Sequence, residues 1–304
     1  MNILTLINAL PGAAAQGLIW GIMAIGVYIT FRILDIADLT VDGTLCTGGA
    51  VCIMMMLSGH NVWVSMLAAT GAGLLAGLAT GIFHTFMGIP AILAGILTQL
   101  SLYSINLKIM GKANQAINVD KFNLLVSLRR VKGVALTQNT LFIVAIMIII
   151  LIAVLYWFFG TELGCSLRAT GCNPSMSRAQ GINTDRNKVL GLMLSNGLVA
   201  LSGALLTQYQ GFADINMGRG SIVIGLAAVI IGEAIFSRIF RNFALKLLSV
   251  VFGSILYYLV LQIVIWMGID TDLLKMLSAL VVAFFLAFPY WKGKYFTKAK
   301  QGGK

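Results

Sequence analysis

The chain carries ten acidic residues in 304, yet three of them, Asp35, Asp38 and Asp42, crowd into the stretch ILDIADLTVDGT between two apolar runs. Asp214, Asn216 and Arg219 do the same in QGFADINMGRGS. Carboxylates, hydroxyls such as Thr40 and Thr44, and a glycine-rich backbone have two uses in an apolar setting. They cap the helix that follows, since Asp and Thr accept hydrogen bonds from the free N–H groups of a first turn. Alternatively they face a water-filled path for a polar solute, because ionisable groups at membrane depth avoid lipid. Gln99, followed by Ser101, Tyr103, Ser104 and Asn106, adds a third polar run that could flank such a path or bond to neighbouring helices. Catalysis fits poorly. Only His60 and His84 are present, and no GxxxxGK[ST] loop occurs to cradle a nucleotide's phosphates. Cys46, Cys52, Cys165 and Cys172 stand at no metal-ligand spacing and read as free thiols. No metal or other cofactor is expected on this chain.

The elements that must position these groups are membrane helices. Hydrophobic residues make up 59% of the chain and charged residues 10%, and the mean hydropathy is +0.93. Soluble domains carry about a quarter charged residues. Nine spans, each near the ~20 residues that cross a hydrocarbon core, are expected at 13–31, 44–58, 62–86, 91–110, 140–159, 189–209, 221–236, 244–268 and 274–291. The runs are continuous and do not alternate with period two, so the fold is an all-α, polytopic membrane protein and not a barrel. The opening MNILTLINALPG lacks a basic start and a small-residue cleavage site, and is not read as a removable signal. Residues 1–304 are expected to form a single transmembrane domain. Small residues crowd the third span from Ala68 to Ala79, which lets helix backbones approach closely.

Between two of the spans, at 160–188, lies the longest polar interruption of the second half, and it spells a short helix with both ends marked. Asn173 can cap, Pro174 suits the first helical position, and Gly181 can take the left-handed conformation that closes the turn. So short a helix does not hold alone, because nucleation costs more than its few hydrogen bonds return. By itself this is a capped surface turn. The run Arg168-Ala169-x-Gly171-x-Asn173-Pro174, followed by Arg178-Ala179-x-Gly181-Ile182-Asn183, resembles the cytoplasmic signature of bacterial ABC-importer permeases of the branched-chain amino acid and ribose class. The resemblance implies that Asn173, Pro174, Ser175, Met176, Arg178 and Gly181 form a coupling helix that docks on a separate ATP-hydrolysing subunit, which would hold the ATP and Mg. Relatives often carry small apolar residues after the proline, where Ser175, Met176 and Ser177 stand here. The resemblance also implies an extracellular solute-binding protein and a second copy of the chain as partners. Within the class, ADLTVDGT looks most like the amino-acid subgroup, including aromatic amino acids.

Charge sets an expected orientation. The segment after Trp291 has five lysines and no acid, so the C-terminus is placed in the cytoplasm of a bacterial cell membrane. Counting back puts 160–188 and 237–246 inside too. The net charge of +11 then reads as membrane orientation and not as nucleic-acid binding. Residues 111–138, with Lys112, Lys121, Arg129, Arg130 and Lys132, fall outside as a solvated loop or a basic face for the binding protein. Glu233 is expected to pair with Arg238 across a helix end. Ala37-Asp38-Leu39 aligns with Ala213-Asp214-Ile215, Gly43-Thr44-Leu45 with Gly220-Ser221-Ile222, and Gly48 with Gly225. Their spans run in opposite directions by the charge count, so halves at about 13–110 and 189–291 are expected to form an inverted repeat around a central site. Asp38, Thr40, Asp42, Thr44, Gln99, Asp214 and Asn216 are the expected pathway residues. A secondary transporter or channel without an ATPase would explain the spans and the repeat but leave the capped helix without a purpose.

Overall fold

The computed structural model describes residues 3–119, 122, 124–131, 138–236, 240 and 242–268, with scattered positions between 273 and 287. Ten α-helices are continuous within these residues: α1 (Ile3–Tyr28), α2 (Thr40–Leu57), α3 (Val62–Thr85), α4 (Ala91–Met110), α5 (Thr140–Gly160), α6 (Glu162–Cys172), α7 (Pro174–Ala179), α8 (Thr184–Gln210), α9 (Ser221–Phe236) and α10 (Phe243–Trp266). Strands β1 (Asn114–Ala116) and β2 (Phe212–Asp214) pair antiparallel. Seven of the described helices are long and apolar enough to cross a membrane, and α9 is shorter. The protein is therefore a polytopic helical membrane protein. The expected count of nine differs for two reasons. Ser221–Phe236 is too short to qualify, and the span at 274–291 lies mostly outside the described residues, as do Arg238, Arg241 and the lysine-rich end.

Buried α1 and α8 form the centre, and small side chains tie them together. Ser195 donates to the Gly26 carbonyl at 2.7 Å, Ser202 to that of Ile19 at 2.8 Å, and Tyr209 to that of Gly12 at 3.1 Å. The contacts advance seven residues on α8 for every seven retreated on α1, so the two helices run antiparallel. On the far side of α1, Ser254 of α10 donates to the Gly17 carbonyl at 2.8 Å. With hydrocarbon outside, such bonds contribute about 0.6–1.7 kcal/mol each. Glycine allows the close approach. A Cβ at Gly48 would overlap the Ala200 carbonyl, and one at Gly77 would overlap that of Leu192, which explains the small-residue run in α3. Helix α5 has few buried positions and turns Ile149, Ile150, Val154 and Trp157 outward, as a lipid-facing helix must.

Candidate functional site

Neither α2 nor α9 starts at an end of the bundle. After the π-helical turn Ile29–Ile33, Asp35 takes a left-handed φ of 55° and the chain doubles back. Asp38 then accepts the Asn196 amide at 2.7 Å and the Thr40 N–H at 2.9 Å. Asn196 lies midway along α8, so α2 begins at that depth. From the opposite end, Gly211 closes α8 with a φ of 80°, and residues 215–220 fold back the other way. Gly218 packs against the Asp42 carbonyl and Leu45. Asp42 then caps α9, accepting the Gly220 N–H at 2.9 Å, the Ile222 N–H at 2.9 Å and the Ser221 hydroxyl at 2.8 Å. Two helix N-termini thus meet inside the bundle, each held by a first-half aspartate.

The expected pathway residues divide between wall and cavity. Asp38 is 1% exposed and belongs to a closed polar network. Asn196 also accepts the Thr44 hydroxyl at 2.7 Å, while the Thr40 and Thr80 hydroxyls meet at 2.7 Å and Thr80 donates to Thr98 at 2.9 Å. Asp38, Thr40 and Thr44 therefore bind α2 to α3, α4 and α8. Asp214, for which capping was one of two expected uses, does not cap α9. Its carboxylate accepts the Asn216 N–H at 2.7 Å and bonds Asn114 on the neighbouring strand at 3.4 Å; the cap comes from Asp42, which approaches nearer the helix start. Asn216 is exposed in the same turn. Asp42 and Gln99 do line a common cavity of about 360 Å³, with Tyr103, Asn106, Ile215 and Arg219. Ser101 bonds its own helix through Leu97 and contributes nothing there. Arg219, named with Asp214 and Asn216 in the second break, stands outside the expected pathway residues yet lines this cavity.

At the other functional end, the short helix forms as expected. Asn173 accepts the Met176 N–H at 3.0 Å, Pro174 opens the helix, and Gly181 has a φ of 79°. Ser175 and Met176 are exposed, Met176 by 63%. Arg178 is not a free docking charge. It donates to Thr184 at 2.8 Å and approaches Asp185 at 3.4 Å, which folds it onto the start of α8. The signature residues upstream anchor the element. Gly171 lies on the Ile33 carbonyl with no room for a Cβ, Arg168 donates to the Phe159 carbonyl at 2.6 Å, and Asn187 donates to Thr170 at 2.9 Å. Through α6, the short helix is thus joined to α1, α5 and α8. Glu233 pairs with Arg32, from the other half of the chain; the expected partner Arg238 lies outside the described residues. All four cysteines are free, and no metal-ligand cluster occurs among the described residues.

Residues 10–286 match a family described as branched-chain amino acid transport system / permease component. A tyrosine transport system permease protein of Clostridioides difficile (strain R20291) is 39% identical over 90% of this chain and 88% of its own. The fructose import permease protein FruF of Bifidobacterium longum (strain NCC 2705) is 25% identical over 81% and 67%. The autoinducer 2 import system permease protein LsrC of Escherichia coli (strain K12 / DH10B) is 29% identical over 72% and 61%. Among solved structures, PsaBC from Streptococcus pneumoniae in complex with Fab overlays with a TM-score of 0.56 at 17% identity, over 98% of this chain and 100% of that one. At that identity the likeness is one of fold.

Proposed function

Because the chain belongs to the branched-chain amino acid transport system permease family, being the membrane-spanning subunit of an ABC importer, we propose that it carries an amino acid inward. Tyrosine is the first solute to test, given the relative at 39% identity. The working unit is a homodimer in the bacterial cell membrane with its C-terminus in the cytoplasm. It operates with two copies of an ATPase that hold ATP and Mg, and with an extracellular solute-binding protein.

The observation that carries the coupling role is the capped helix Pro174–Ala179, which exposes Ser175 and Met176 yet is tied through Gly171, Arg168 and Asn187 to three membrane helices. An ATPase that grips α7 would pull on the ends of α1, α5 and α8 together. The inverted-repeat reading draws support from α1 and α8 running antiparallel, and from the matched glycines. Gly48 of α2 packs on Ala200 of α8, and Gly225 of α9 packs on Met23 and Val27 of α1, so each sits against the leading helix of the opposite half.

The test is joint expression with the ATPase and binding protein, followed by ATP-driven uptake of labelled tyrosine into proteoliposomes. Met176→Glu should leave the chain inserted but abolish ATPase co-purification, since it puts a charge on the apolar tip of the docking helix. Parental co-purification and uptake by this variant would remove α7 from the coupling role. Cysteines introduced at Asn183 and Asn118 in a cysteine-free background check the orientation. Only the latter should react with an impermeant thiol reagent in intact cells.

A further inference from the structure

The cavity beside the two helix starts contains a charge that the architecture leaves unused. Arg219 is held inside the bundle, beside the first turn of α2. Its neighbours Gly218 and Gly220 both contact Asp42, and Leu45, one turn on, packs its carbonyl against Gly203. Gly203 is seven residues, or about 10 Å at 1.5 Å per residue, from the end of α8. Arg219 is exposed and makes no ion pair or side-chain hydrogen bond among the described residues. Asp42, which lines the same cavity, is engaged by three donors from residues 220–222. A guanidinium at this depth does not face lipid, and an unpaired one faces a cavity that something anionic enters.

Another residue lining the cavity supplies a second, independent mark. Asn106 is 1% exposed; its amide nitrogen reaches the Gly43 carbonyl at 3.4 Å, while its side-chain oxygen has no partner. Such an orphan acceptor in the wall of a cavity awaits a donor. Tyr103, 42% exposed, lines the same cavity, and Gln99 adds a neutral amide. A cation, an acceptor and an aromatic wall match the three parts of a free α-amino acid: its carboxylate, its ammonium and an apolar or aromatic side chain. The cavity of about 360 Å³ falls within the ~300–1,000 Å³ range of small-molecule sites.

We infer that Arg219 is the specificity-determining residue of the translocation path, pairing with the carboxylate of the passing solute while Asn106 accepts from its ammonium group. This rests on the permease reading and names the chemistry its solute must have. The carboxylate exchanges water for a guanidinium fork that binds both its oxygens, then leaves as the helix starts separate. The bond is reversible and no covalent step is involved.

The experiment uses the full complex of permease, ATPase and binding protein in proteoliposomes, offered a mixture of labelled α-amino acids and, separately, labelled ribose and fructose. The parent should take up one or more amino acids and neither sugar. Arg219→Gln should lower the maximal uptake rate about tenfold or more, the loss expected for a hydrogen bond to a charged group. Its half-saturation for loaded binding protein and its ATP hydrolysis should stay at the parent's values, so that fewer solutes move per ATP. Arg219→Lys should restore part of the rate, and Asn106→Leu should lower it with ATP hydrolysis intact. Parental uptake by Arg219→Gln, or parental preference for a sugar, would overturn the inference and leave the permease reading standing. A parent complex that moves no solute with ATP would overturn both. A uniform loss of uptake and ATP hydrolysis in Arg219→Gln would make the residue structural and also end the inference.

Discussion

The two breaks that start α2 and α9 use one local device in two environments. Asp38 and Asp214 each accept the N–H two residues on, at 2.9 Å and 2.7 Å. Beyond that turn they diverge. Asp38 is sealed in the core and bonded to Asn196 of the opposite half, whereas Asp214 is half-buried at the sheet end, with Asn114 at 3.4 Å as its further partner. The two halves therefore share a turn and differ in what the turn holds. The first locks helices together, and the second leads the chain to a cavity.

The largest effect should come from removing the buried carboxylate. Asp38→Leu strands the Asn196 amide and the Thr40 N–H in the core, which costs about 1–3 kcal/mol for each unsatisfied group. Asp214→Leu exposes its donors to water and should cost under ~1 kcal/mol. Thermal melting of the purified proteins in detergent measures the gap. Equal losses would show that the two turns carry the same load.

Next come the matched glycines. The Cβ of Gly48→Ala would meet backbone, the Ala200 carbonyl, which cannot swing aside. That of Gly225→Ala would meet only side chains, a methyl of Val27 at 2.8 Å and the Met23 sulfur at 3.1 Å; the methionine gives way readily, the β-branched valine less so. Overpacking at Gly48 should therefore cost about 1–3 kcal/mol and that at Gly225 less than half as much, again read by melting. A larger loss at Gly225 would mean that the α1–α9 contact, and not α2–α8, is the stiffer joint.

Local rules made much of this legible before any coordinates. Asn173, Pro174 and Gly181 are read one residue at a time, since a cap, a first-turn proline and a left-handed glycine need only their neighbours. The apolar runs likewise gave most of the described helices near their limits, though α1 begins at Ile3, ten residues before the expected start. Long-range pairing was hidden. Nothing adjacent to Glu233 tells that its partner is Arg32, about two hundred positions away in the chain, and nothing near Asp42 tells that it caps α9. Arg168 and Gly171 could be matched to a signature, but the reason for them lies in the Phe159 and Ile33 carbonyls they meet. The depth of Arg219 was illegible for the same cause: a run of polar, glycine-rich residues reads as a loop whether it hangs outside or folds back between helices.

The smallest structural change sharpens the comparison most. Asp38→Asn keeps the shape of the side chain and its capping capacity, because Asn caps about as well as Asp. The new amide would direct N–H toward the Asn196 N–H at first, a donor against a donor. Asn196 can resolve this by turning its own amide over, so that its oxygen accepts from position 38 and its nitrogen donates to the Thr44 hydroxyl, now 2.7 Å from its oxygen. The turned amide gives up its 3.0 Å bond to the Leu192 carbonyl, so the loss of stability should be about 1 kcal/mol, the net worth of one hydrogen bond. Asp214→Asn meets the same clash with the Asn114 amide, but Asn114 is exposed and can turn over at no cost, so this variant should melt with the parent. Uptake separates the remaining meanings. If both variants transport as the parent does, the turns act as caps and the path requires neither of these two negative charges. Failure of Asp38→Asn with its melting temperature and ATPase binding intact would show that the buried negative charge itself takes part in moving the two helix starts, and that the lock is also a working part.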